Sequence, residues 1–90
     1  MREFRTIKRC SKPRKEQALI YYTCINYSKM EGKTQRKIDV LCIKAAGEYA
    51  DALKDLLIHA DKMTTEGVAL KHYCSPGTLW NARIRFFNLW

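Results

Sequence analysis

No stretch of the chain approaches the roughly 20 consecutive apolar residues that cross a bilayer as a helix, so no membrane partner is expected. The basic N-terminus is not followed by the apolar segment of a secretion signal, which makes a cytoplasmic location the expectation. The four cysteines, Cys10, Cys24, Cys42 and Cys74, contain no C-x-x-C pair, and no histidine stands at zinc-finger spacing from them. Without an oxidising compartment they read as reduced thiols, most of them in apolar segments where cysteine acts as a small hydrophobe. His59 and His72 are isolated and read as packing or surface residues, not as metal ligands. There is no G-x-S-x-G, no P-loop and no Gly-rich phosphate loop. Neither an enzyme nor a cofactor is expected. Acidic residues are also missing from the last part of the chain, where none follows Glu66.

What is present is a short, basic, well-mixed sequence. Ninety residues make one domain, and 47% hydrophobic with 29% charged residues belongs to a folded chain. A domain of this size buries only somewhat more than ~60% of its unfolded surface. Every long apolar face must be used, or shared with a second copy. The net charge of +8 points to a polyanionic partner or to solubility, and not to a fold. Residues 1–37 hold eleven Lys/Arg against three acids, residues 38–66 three against six, and residues 67–90 three against none. Two basic ends therefore flank an acidic middle.

Residues 1–16 read as a basic arm, with Arg2, Arg5, Lys8, Arg9, Lys12, Arg14 and Lys15 interrupted by Glu3, Phe4, Ile7 and small residues. Such an arm either neutralises phosphates in a groove or serves as a solubilising tail. Pro13 disfavours helix before it and suits a helix start after it. The apolar run at residues 18–27 contains strand-forming Tyr, Ile and Thr, yet a lone strand has no partner in this chain. Ala18, Tyr21, Tyr22 and Ile25 also share a helical face, and helix is expected, closed by Gly32. From residue 34 to residue 60, Ile38, Leu41, Cys42, Ala45, Tyr49, Ala52, Leu53, Leu56, Leu57 and Ala60 recur at helical steps. Gly47 sits in mid-stripe, so this scaffold is one long helix or two with a break there.

Residues 64–90 show two helix starts. Thr64 or Thr65 can cap the first, with Glu66 in its first turn. Ser75 can cap the second, with Pro76 at the first helical position. A short helix, a tight turn and a longer terminal helix follow. Val68, Ala69 and His72 or Tyr73 share the inward face of the first helix; Leu79, Ala82, Arg83 and Phe86 do so on the second, with Trp90 continuing the line. The fold class is thus all-α, a small helical bundle with a C-terminal helix-turn-helix: an arm at 1–16, a helical scaffold at 17–62 and the motif at 63–90.

The stretch GVALKHYCSPGTLWNARIRF resembles the helix-turn-helix of bacterial and phage transcription regulators. Ala69 matches the small residue of the first helix, Cys74-Ser75 the turn, Thr78-Leu79 the Thr-aliphatic pair, and Arg83 and Arg85 the basic helix end. The whole chain is similar to small phage or prophage regulators related to sigma-factor region 4. It departs from the pattern where the usual turn glycine is replaced by His72, Tyr73 or Cys74, depending on register, and where Pro76 and Gly77 stand in place of long polar readers.

The resemblance implies binding to double-stranded DNA, with a homodimer and RNA polymerase as further partners. The second helix would enter the major groove with Pro76, Gly77, Trp80, Asn81 and Ile84 outward. Asn81 would read adenine, Ser75 and Thr78 would hold phosphates at the helix N-terminus, and Lys71, Arg83 and Arg85 would add phosphate contacts. Phe86, Phe87, Leu89 and Trp90 either form a dimer seam or close the monomer core. The competing reading is a protein-interaction module, a phage-type factor docking on a host protein through Trp80, Ile84, Phe87 and Trp90.

Overall fold

The computed structural model describes residues 4–90, and the regular elements among them are all helical. Pro13 opens the first. Its ring fixes φ and it lacks an amide hydrogen, so it suits a helix start. With φ −65° and ψ 157° it is the N-cap of α1 (Arg14–Ile25). Gln17, Ile20, Tyr21 and Cys24 form the buried face, at the spacing of an amphipathic helix. That spacing overrides the strand-forming composition of the run.

A 3-10 turn at Tyr27–Lys29 leads into α2 (Gly32–Ala46). Gly32 begins this helix instead of closing the preceding segment, because Glu31, with ψ 158°, is the extended residue at the boundary. Ile38, Leu41, Cys42 and Ala45 are the buried face of α2. The helix ends at Gly47, whose φ of 56° and ψ of −118° favour glycine. A 3-10 turn (Gly47–Tyr49) and α3 (Ala50–Ile58) follow. The long stripe is therefore two helices, and Gly47 makes the break.

Both sides of α3 are used. Leu53 and Leu57 join Ile20, Cys24, Ile38, Cys42, Phe86 and Phe87 in the main core. Ala52 and Leu56 face a smaller cluster with Val68, Ala69 and Leu79. Helix α3 is the wall between them. All four cysteines are free. Burial pushes the Cys24 thiol up to about 12, helped by Cys42, and burial with Asp39 does the same for Cys42. A polar tie outside the core links the 3-10 turn, α2 and α3. The Tyr27 hydroxyl donates to the Asp39 carboxylate at 3.0 Å, and Lys54 Nζ lies 2.9 Å from the same carboxylate.

The arm is where the structure adds most. Phe4, Ile7 and Cys10, every third residue, are buried in the main core, while Arg5, Lys8 and Arg9 between them are exposed. The Phe4 ring stands 5.2 Å from Tyr21 and stacks at 6.3 Å on Phe87. From residue 4 onward this segment is a wall of the core, so the solubilising-tail alternative does not apply there; Arg2 and Glu3 lie outside the described residues.

The seat of the arm is Gln17, 1% exposed. Its Oε1 accepts from Ile7 N at 2.8 Å, and its Nε2 donates to Lys12 O at 2.7 Å and to Ile7 O at 3.3 Å. At the other end, Asn88 Oδ1 accepts from Ser11 N and Ser11 Oγ, both at 3.0 Å, and from Cys10 Sγ at 3.3 Å. Gln17→Ala leaves enclosed arm backbone groups unpaired, so it should lower unfolding free energy by about 2–3 kcal/mol. Denaturant titration reads that loss, and limited trypsin digestion should show faster cutting after Lys8 and Arg9.

Candidate nucleic-acid interface

Thr64, in extended conformation, caps α4 (Thr65–Lys71) by accepting from Gly67 N at 3.0 Å. The helix ends in a Schellman arrangement: Cys74 N donates to Ala69 O at 3.0 Å and Tyr73 N to Leu70 O at 3.3 Å. This closure requires a left-handed residue, and Tyr73 supplies it with φ 57°. Of the three candidates for the missing turn glycine, Tyr73 is the one that takes its conformation. Ser75 then caps α5 (Pro76–Leu89), its Oγ accepting from Thr78 N at 3.1 Å, with Pro76 at the start of the helix. Residues 64–90 are thus two helices joined at a corner.

Asp55 on α3 holds the corner. Its carboxylate accepts from His72 Nε2 at 2.9 Å and Lys71 Nζ at 3.0 Å, with His59 Nε2 at 3.5 Å. Burial alone would raise the Asp55 carboxyl. Hydrogen bonds from His72 and Lys71, with the charges of Lys71 and His59, outweigh it and hold the group below the usual carboxylate range. His72 therefore ties α4 to α3, while His59 closes the end of α3 on Asp55 of the same helix.

The expected contact residues separate into three groups. Ser75, Gly77, Trp80 and Asn81 are exposed on the first turns of α5, with Thr78 half-buried among them. A Cβ added at Gly77 would meet only Ser75 Oγ, at 4.0 Å, so the surface there is open. Lys71 and Arg85 are exposed but engaged, Lys71 with Asp55 and Arg85 through Nε with Ala45 O at 2.8 Å. Ile84 and Arg83 are turned away from the open surface. Ile84, expected outward, is 8% exposed and belongs to the main core, because the arm lies across that part of α5. The Arg83 guanidinium sits 5.5 Å from the Trp80 ring and 5.3 Å from the Phe87 ring, and burial lowers its pKa.

The proposed seam and docking anchors are largely internal as well. Phe86 and Phe87 are fully buried, and Trp90 packs on Phe86 at 5.9 Å with Lys37 Nζ 4.0 Å above its ring. Only Leu89 of the four seam residues is widely exposed. The reason is the central place of α5, packed against α2, α3 and α4. Of the four docking anchors, Trp80 alone is at the surface, at 39%.

Arg9, expected only as part of the basic arm, reaches α5. Its Nη1 donates to Asn81 Oδ1 at 3.3 Å, which lays the exposed Arg5, Lys8 and Arg9 beside the open turns of α5. The signal for this was the every-third-residue spacing of Phe4, Ile7 and Cys10. No protein-family model, curated protein or solved structure matches the chain.

Two outcomes test the corner. Tyr73→Gly relieves the left-handed conformation and should stabilise the protein by about 1 kcal/mol, read as a Tm rise of about 4–8 °C. Because its folded pKa is depressed, Asp55 contributes stability above the ordinary aspartate pKa near ~3.9, and that contribution is lost as pH falls through the lower folded value. Asp55→Asn should therefore melt below wild type at neutral pH, with the gap narrowing as the solution is taken below pH ~4.

Proposed function

We propose that the protein binds double-stranded DNA, as a transcription regulator of the phage helix-turn-helix kind, through the first turns of α5 and the basic arm beside them. The observation that carries this reading is the Arg9–Asn81 hydrogen bond. It joins the cationic segment to the exposed part of the terminal helix, so both present to the same partner. Arg5, Lys8 and Arg9 would neutralise phosphates. Ser75 and Thr78 stand at the positive end of a 14-residue helix, where a phosphate is favoured. Gly77 lets the backbone come close to a strand.

Asn81 is the one long polar side chain on this surface with the geometry to read a base edge, and Arg9 holds its oxygen in the free protein. Base reading therefore requires exchanging that bond for one to DNA. So few readers give modest specificity, which two copies on half-sites one helical turn apart would multiply. A second reading, docking on a protein, is favoured by Leu70 and Tyr73, the latter 96% exposed, beside the same corner.

Duplex titration at several salt concentrations decides between them. DNA binding through three or four phosphate contacts gives a log–log slope of about −3 to −4, at roughly −0.9 per contact. Arg9→Ala should flatten that slope by about one contact on all sequences, and Asn81→Ala should weaken preferred sites more than random DNA. Absence of duplex binding at low salt overturns the proposal.

A further inference from the structure

Between the arm and α5 runs a groove of about 1060 Å³. The arm forms one side with Arg5, Lys8 and Arg9, and Trp80 and Arg83 of α5 form another. None of its described lining residues is acidic. Cations of the arm and an exposed indole line the same half-open groove.

Arg83 makes this more than a dip in a basic surface. Its guanidinium lies between two aromatic rings, and no described residue accepts a hydrogen bond or forms an ion pair with it. No enclosed side-chain polar atom lacks a partner among the described residues, so the nitrogens of Arg83 remain open to the groove. The open nitrogens of Arg83 are thereby placed to receive an anion that enters the groove.

We propose that this groove binds a nucleoside phosphate, with the base stacked on the Trp80 indole and the phosphate held by Arg83 with Arg5 and Lys8. Stacking uses the face or edge of Trp80 that Arg83 leaves open, and is tolerant of base identity. The planar guanidinium forks to two phosphate oxygens. The same chemistry is offered by a free nucleotide and by an unpaired nucleotide within a strand. The groove shares Arg5 and Lys8 with the proposed duplex surface and differs from it in the Arg83 guanidinium and the Trp80 indole.

The indole itself reports occupancy. Trp90 lies under Lys37, outside the groove lining, so Trp90→Phe leaves Trp80 as the sole tryptophan. That protein is titrated at low salt with AMP, with single-stranded oligothymidylate, with a DNA duplex, and with ribose 5-phosphate. Saturable quenching of Trp80 by AMP assigns a free nucleotide; quenching by oligothymidylate alone assigns an unpaired strand. Either result supports the site, and Arg5→Ala/Lys8→Ala, two exposed positions that leave the core intact, should then weaken binding about tenfold. Arg83→Met, which keeps the apolar stem between the rings, should weaken it further. Ribose 5-phosphate matching AMP in affinity shows an anion sink without base stacking and overturns the proposal, as does quenching by none of the ligands. Duplex affinity of Arg83→Met measured by anisotropy keeps the two sites apart: AMP quenching lost with duplex affinity unchanged assigns Arg83 to the groove, and equal loss of both overturns a separate groove.

Discussion

The amide of Gln17 is the polar side chain enclosed in the core of the described protein, and the path of the N-terminal arm depends on it. A buried amide without partners is costly. Three hydrogen bonds to Ile7 and Lys12 meet that need and at once fix the arm's backbone against α1. With the backbone held, Phe4, Ile7 and Cys10 turn inward and Arg5, Lys8 and Arg9 turn outward. The charge distribution of the molecule follows from this one contact. Removing the clamp would cost more than a few hydrogen bonds, since Phe4 stacks on Phe87 of α5 and covers the main core.

The α4–α5 corner rests on a second polar centre. Asp55 collects His72, Lys71 and His59 and so sets the end of α4 against α3. The Schellman closure of α4 demands a left-handed residue, and the chain supplies a tyrosine where glycine would be unstrained. Backbone strain of this kind persists when surrounding contacts over-determine the conformation. The Asp55 cluster on one side and the Ser75 cap on the other provide that. The Tyr73 ring lies almost wholly in solvent, beside the turn that the proposed DNA surface presents.

Helix α5 carries two surfaces of different character. Its first turns are small, polar and open, suited to close approach by a backbone. One turn further on, the arm covers it, and Trp80 and Arg83 face the basic groove. Arg5, Lys8 and Arg9 of the arm are thereby brought beside α5, although they come from the opposite end of the sequence. Charge of one sign concentrated along low-dielectric walls focuses the field toward anions, and this is what the proposed duplex surface and the proposed nucleotide groove have in common.

Local signals in the chain determined the helices. Pro13, Gly47, Thr64 and Ser75-Pro76 mark starts and breaks by their own backbone chemistry, and the leucine stripe with its Gly47 interruption follows from helical periodicity alone. Leu79, Ala82 and Phe86 were legible as the inward face of α5 for the same reason. Tertiary structure alone decided that Ile84 is covered, that the inward Arg83 meets the Trp80 and Phe87 rings, that Phe87 closes the core and that Arg9 reaches Asn81. Each of these depends on the arm, which has no periodic secondary structure to announce its path. Its position comes from contacts across more than seventy residues of sequence, such as Arg9 to Asn81 and Ser11 to Asn88, and contacts of that range leave no local pattern to read.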